Sequence, residues 1–169
     1  MKSSSNYQPK IKPEKTKNDF VLETAAVVIL IAIWGMAAYA LTVLPETFPV
    51  HFDLSGRPDG YGGKGSLLIL PATALFLYAG MTILNRYPHV FNYPVKLTAE
   101  NALRQYTNAT RAIRVLKLIV MLVFFLIAYF QVQSAFTFSS GIGIWLLPLI
   151  LLLVYLPLGY FIIKAFRKK

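Results

Sequence analysis

Four long runs without a single ionisable side chain constrain this chain more than any other feature. Residues 24–44, 66–84, 118–138 and 141–163 contain no Asp, Glu, Lys, Arg or His. About 20 apolar residues cross the hydrocarbon core of a bilayer as a helix, so the pattern predicts four membrane spans. The charges between them predict an orientation. Five lysines precede the first run, six basic residues separate the second from the third, and four follow the fourth. The remaining two connections hold only Arg57 and Lys64. Loops rich in Lys and Arg stay on the cytoplasmic side, so both termini are expected inside and residues 45–65 outside.

The fold class that follows is all-α and integral to the membrane: a four-transmembrane-helix bundle, with both termini cytoplasmic. Spans are expected at about 22–44, 66–85, 113–138 and 141–164, forming one membrane domain over residues 20–169. Residues 1–19 are Ser-, Lys- and Pro-containing with little apolar content, which predicts a disordered cytoplasmic tail. Ala38-Tyr39-Ala40 has the form of a signal cleavage site. The apolar run continues past it to Leu44, and Glu14, Asp19 and Glu23 precede the run, so an uncleaved anchor is expected.

The net charge of +10 would point a soluble chain towards nucleic acid. Here the cations flank apolar spans, where anionic lipid headgroups account for them, and no basic-aromatic recognition motif accompanies them. With no cysteine, disulfides, iron–sulfur clusters and thiolate metal sites are excluded. Neither G-x-S-x-G nor H-E-x-x-H occurs. The glycines and lysine at 60–66 do not have phosphate-loop spacing, and Asn108-Ala109-Thr110 falls on the wrong side for glycosylation.

Within the first span Ala32, Gly35, Ala38 and Thr42 fall on one helix face, a stripe expected to receive a neighbouring helix. The outer loop, residues 45–65, is expected to be structured and rich in turns. Its glycines and prolines from Gly56 to Gly63 forbid a helix, and Pro58-Asp59-Gly60 is a turn signal. Val50 to Leu54 alternates apolar and polar, as a short extended segment does.

The inner segment, residues 86–112, contains an expected amphipathic helix capped by Thr98 with Glu100 in its first turn. That helix would lie at the inner interface and run on into span three. Arg104, Arg111, Arg114 and Lys117 would meet lipid headgroups. Span three carries a polar stripe, Gln131, Ser134 and Thr137, expected to face protein. A short turn at residues 139–141 would follow, and Pro148 and Pro157 would kink span four.

Most of the plausible chemistry lies in the outer loop: His51, Asp53, Asp59 and Lys64, with Gly56 and Gly60 shaping the turns. His51 and Asp53, two apart on an extended segment, would share one side. There they could pair as an oriented imidazole or half a metal site. A zinc centre ordinarily takes three protein ligands. No metal or cofactor is therefore expected, the alternative ligand set being His51, Asp53 and Asp59.

The loop also carries a resemblance. Leu44-Pro45, Phe48-Pro49-Val50-His51-Phe52-Asp53, Gly56, Asp59-Gly60 and Lys64 resemble the bacterial membrane domain of unknown function 1648, the N-terminal part of SdpI-type immunity proteins. Asn92-Tyr93-Pro94, Glu100-Asn101 and Tyr106 are similar to that family too, and the likeness extends over residues 20–138. Phe48 stands where the family more often has Ile. SdpI-type proteins carry a further multi-span region beyond this stretch.

The resemblance implies a multi-pass protein of the bacterial cytoplasmic membrane. In its best understood members it implies protection against a secreted toxic peptide and sequestration of a transcriptional regulator. The expected function is thus non-enzymatic, with recognition of a peptide or membrane partner through the outer loop. The alternatives are a membrane enzyme or metal-binding protein using His51, Asp53 and Asp59, and small-molecule transport. Membrane lipids and a peptide toxin or membrane protein are the expected partners, and nucleic acid is not one.

Overall fold

The structure, a computed structural model, describes residues 8–137 and 145–167. Four helices long and apolar enough to cross a membrane dominate it, at Lys17–Val43, Lys64–Leu84, Ala102–Phe136 and Leu147–Phe166. The chain is therefore mostly helical and reads as a multi-pass membrane protein. In chain order the elements are α1 (Lys17–Val43), β1 (Thr47–Phe52), β2 (Pro58–Gly63), a 3-10 turn (Lys64–Leu68) leading into α2 (Ile69–Leu84), α3 (Ala102–Thr137) and α4 (Leu146–Phe166). The all-α expectation is thus corrected by one antiparallel hairpin, β1 against β2.

Helix α1 begins inside the segment expected to be a disordered tail. Thr16 and Asp19 form a reciprocal capping box, which satisfies two of the amide donors that a helix start leaves open. Residues 17–19 are therefore helical, and Asp19 is buried. The face α1 turns inward is Ala26, Leu30, Ile33, Ala37 and Ala40, alternately four and three apart, which is the spacing of a helix–helix seam. The small-residue stripe Ala32, Gly35, Ala38 and Thr42 is exposed instead, and a Cβ added to Gly35 would meet nothing within 4 Å. The inward seam has its own small residues, three alanines, and these admit the neighbouring helices.

Two apolar clusters hold the bundle together. Ala26, Leu30 and Ile33 pack with Ala74 of α2 and Met121 of α3. Nearer the hairpin, Ala40 and Leu44 pack with Phe48, Leu67 and Ala135. With Asp19 bonded to Arg111 at one end and Ala40 beside Ala135 at the other, α1 and α3 run parallel. The connecting helices α2 and α4 run the opposite way.

Helix α3 is a single element of 36 residues. At 1.5 Å per residue it measures about 54 Å, well beyond the roughly 30 Å of a bilayer core. Its first turns run on into the span without a break, as expected of the inner helix. Thr98 is not its cap: the Asn101 side chain accepts from the Thr98 amide and donates to the Lys96 carbonyl. Helix α4 packs chiefly on α3. Three α3 side chains seize its C-terminal carbonyls: Arg104 donates to Arg167 O (2.6 Å), Gln105 to Ala165 O (2.8 Å) and Asn108 to Phe161 O (2.9 Å). The carbonyls of Ala165 and Arg167 fall at the helix end, where partners within the helix run out, so α3 caps α4 from the side, and Asn108 adds a bond one turn earlier. Pro157 lies inside α4 and Pro148 in its first turn. The expected turn at 139–141 lies outside the described residues.

Candidate functional site

The hairpin collects every residue of the outer loop that carries chemistry, in an arrangement that differs from the expected one. Its turn is at residues 53–57. One Asp53 carboxylate oxygen accepts from the amides of Ser55 and Arg57, both at 2.8 Å, and the Asp53 amide donates to Arg57 O. Gly56 has φ of 76°, a left-handed conformation that a side chain would strain. Asp53 thereby shapes the turn through one carboxylate oxygen, and the partner of His51 is Asp59 instead.

Pro58-Asp59-Gly60, expected as the turn, is strand β2. Gly60 sits opposite His51, and a Cβ at Gly60 would lie 2.9 Å from the His51 Cβ. The glycine is needed for close approach of two strands, not for a turn. The register slips on either side of His51, a bulge of the kind that re-aims side chains. It brings His51 Nδ1 to 2.5 Å from Asp59 Oδ1. Both side chains remain open to solvent, 73% for His51 and 45% for Asp59. Lys64 pairs with Glu46 at 3.2 Å, and this exposed bridge closes the base of the hairpin. Among the described residues no three His, Cys, Asp or Glu side chains are grouped to hold a metal. Asp53 is bonded to the Ser55 and Arg57 amides and is not grouped with the His51–Asp59 pair.

The hairpin is docked onto the bundle. Phe48 is 1% exposed and sits in the upper apolar cluster, flanked by Val50 and Val132. Gln131 Nε2 donates to Pro49 O at 3.4 Å. Ser134 is buried and donates to Gln131 O, within α3. The side chain of Thr137 lies outside what the structure describes. Of the expected polar stripe, then, Gln131 reaches the hairpin and Ser134 faces protein.

At the opposite end lies a charged cluster that the sequence reading missed. Asp19 accepts from Arg111 Nε and Arg114 Nη1, each at 3.2 Å. Glu23 takes Lys117 Nζ at 2.5 Å and lies 3.4 Å from Arg114 Nε. Lys117 also donates to Thr82 Oγ1 and lies 4.6 Å from the centre of the Tyr78 ring. Asp19, Arg114 and Lys117 are all nearly inaccessible.

Arg114 and Lys117 therefore do not meet lipid headgroups: they bind α1 and α2 to α3. Arg111 is drawn the same way, and Arg104 caps α4. The signal was present in the spacing. Two acids four apart begin α1 and three bases three apart occupy α3, and alternating spans put the starts of α1 and α3 at the same end. Buried charges persist where paired, and this pairing serves assembly.

Residues 28–75 match the domain of unknown function DUF1648. An uncharacterised protein of the archaeon Archaeoglobus fulgidus is 39% identical over 70 residues, covering 37% of this chain and 38% of that protein. The chain thus spans well under half the length of the relative it matches. No solved structure matches. The matched segment runs from the first seam residues of α1, through the whole hairpin, to Ala74 and Leu75 of α2. The match to DUF1648 is thus confined to residues 28–75 and is centred on the docked hairpin.

Proposed function

We propose that this is a non-enzymatic recognition protein of a cell membrane, with the hairpin outside, both termini in the cytoplasm, and a peptide or membrane protein as the hairpin's partner. One observation carries the reading. The hairpin's buried side is fixed by Phe48 and Gln131, while its other side presents the linked His51–Asp59 pair and a Tyr61 that is 64% exposed. A rigid aromatic beside polar groups, preset before contact, is the composition of a binding hot spot. The immunity role of SdpI-type proteins is one form such recognition would take.

The experiment is site-specific photocrosslinking from position 61 in native membranes, read by mass spectrometry, in the native chain and in His51→Ala. A single reproducible partner that is lost in His51→Ala, with membrane insertion unchanged, is expected. An adduct pattern indifferent to His51, or no adduct in cells that need the protein, would remove the reading.

A further inference from the structure

We infer that the cleft between the start of α3 and the end of α4 binds an anionic phospholipid. This site lies at the other end of the molecule from the hairpin and stands independently of the hairpin's role. Its volume is about 760 Å³, within the range of specific small-molecule sites. Four cations line it: Arg104 and Arg111 from α3, Lys164 and Arg167 from α4. Against them stands one carboxylate, Glu100. Beside the cations the lining includes the apolar side chains of Leu103, Tyr160 and Ile163, with Gln105, Thr107 and Asn108 as neutral polar neighbours.

The charge alone would accept any anion, but the apolar wall narrows the choice. A free phosphate has nothing to place on Leu103 or Ile163. A phospholipid has a phosphate for the cations and acyl chains for the wall. The position agrees, since Lys164 and Arg167 lie at the last turn of an apolar helix, the level at which headgroups sit.

A helix C-terminus ordinarily repels anions. Here that end is already neutralised, because Arg104 and Gln105 occupy the terminal carbonyls of α4. Arg111 is partly committed to Asp19, so Lys164 and Arg167 carry most of the headgroup attraction. A lipid seated here would bridge α3 and α4 at the point where their own contacts end.

The test is native mass spectrometry of the purified full-length protein in detergent, with phosphatidylglycerol or phosphatidylcholine added. The native chain should retain one phosphatidylglycerol in preference to phosphatidylcholine. Lys164→Gln with Arg167→Gln should weaken that retention roughly thirtyfold, as two lost headgroup charges imply. Lys10→Gln with Lys12→Gln should not change it. Glu100→Gln should strengthen retention, a gain that misfolding could not produce. Equal retention of phosphatidylcholine, indifference to the α4 substitutions, or displacement by millimolar inorganic phosphate would each overturn the proposal.

Discussion

Asp19 meets more partners than any other acidic side chain in the described part of the molecule. It takes hydrogen bonds from the Thr16 amide and hydroxyl, from Arg111 and from Arg114. Neutralising it would take a shared carboxylate from two adjacent guanidinium groups, and Arg114, buried and left with Glu23, could not relax into water. Breaking a buried pair in this way costs about 3–5 kcal/mol. Asp19→Asn is therefore expected to lower the thermal midpoint of the purified protein in detergent markedly. Adding Arg114→Gln to Asp19→Asn should cost less than the two single changes together, because the second removes the charge that the first orphaned. Strict additivity would show that the two groups do not share an energy. Nothing at the level of single residues marked Asp19 in the sequence, where it sits among lysines that read as a polar tail.

The hairpin shows how local signals are overridden by what a segment meets. Pro-Asp-Gly has turn chemistry, yet Pro58 opens a strand, where its missing amide donor is tolerated, and Gly60 lies where His51 crowds the backbone. The true turn was marked by Asp53 and Gly56, residues whose roles depend on amides two and four positions away. The extended character of Val50 to Leu54 was legible from its alternation. Its partner strand was not, because Pro58–Gly63 contains three glycines and lacks β-formers apart from Tyr61.

If strand approach is what Gly60 supplies, Gly60→Val should push β2 off β1 at a cost of about 1–3 kcal/mol. Trypsin acting on the purified protein should then cut after Lys64, at the foot of β2, faster than in the native chain, since that strand would loosen. An unchanged rate would mean that the register at His51 is not as described. The inward seam of α1 teaches the same lesson. Ala32, Gly35, Ala38 and Thr42 formed the more conspicuous small-residue face, but the hairpin and α3 fixed which way α1 turned.

At the scale of the whole molecule, the four long apolar helices were readable because bilayer thickness leaves few alternatives, whereas the early starts of α1 at Lys17 and α3 at Ala102 were not. The arrangement of charge across the two ends predicts an orientation that an absence of cysteine makes easy to measure. A single introduced thiol is the only one in the chain. Ser55→Cys, in the hairpin turn, should react with a membrane-impermeant maleimide in intact cells. Lys10→Cys should react only after the cells are opened, and the reverse pattern would invert the topology. The pairings between the spans were harder to read. They join residues about 60 to 95 positions apart, where periodicity carries no information and only the alternation of spans says which ends coincide.

The ion pairs between α1 and α3 also impose an order in time. Asp19 is made 92 residues before Arg111, roughly 5–20 s earlier at ordinary rates of translation. Throughout that interval both acids at the start of α1 are without their counter-ions and are held at the water boundary by their own hydration. Only when α3 arrives can Asp19 and Glu23 form their ion pairs. The first helix to be made is thus among the last to complete its contacts, and it completes them only with the third span.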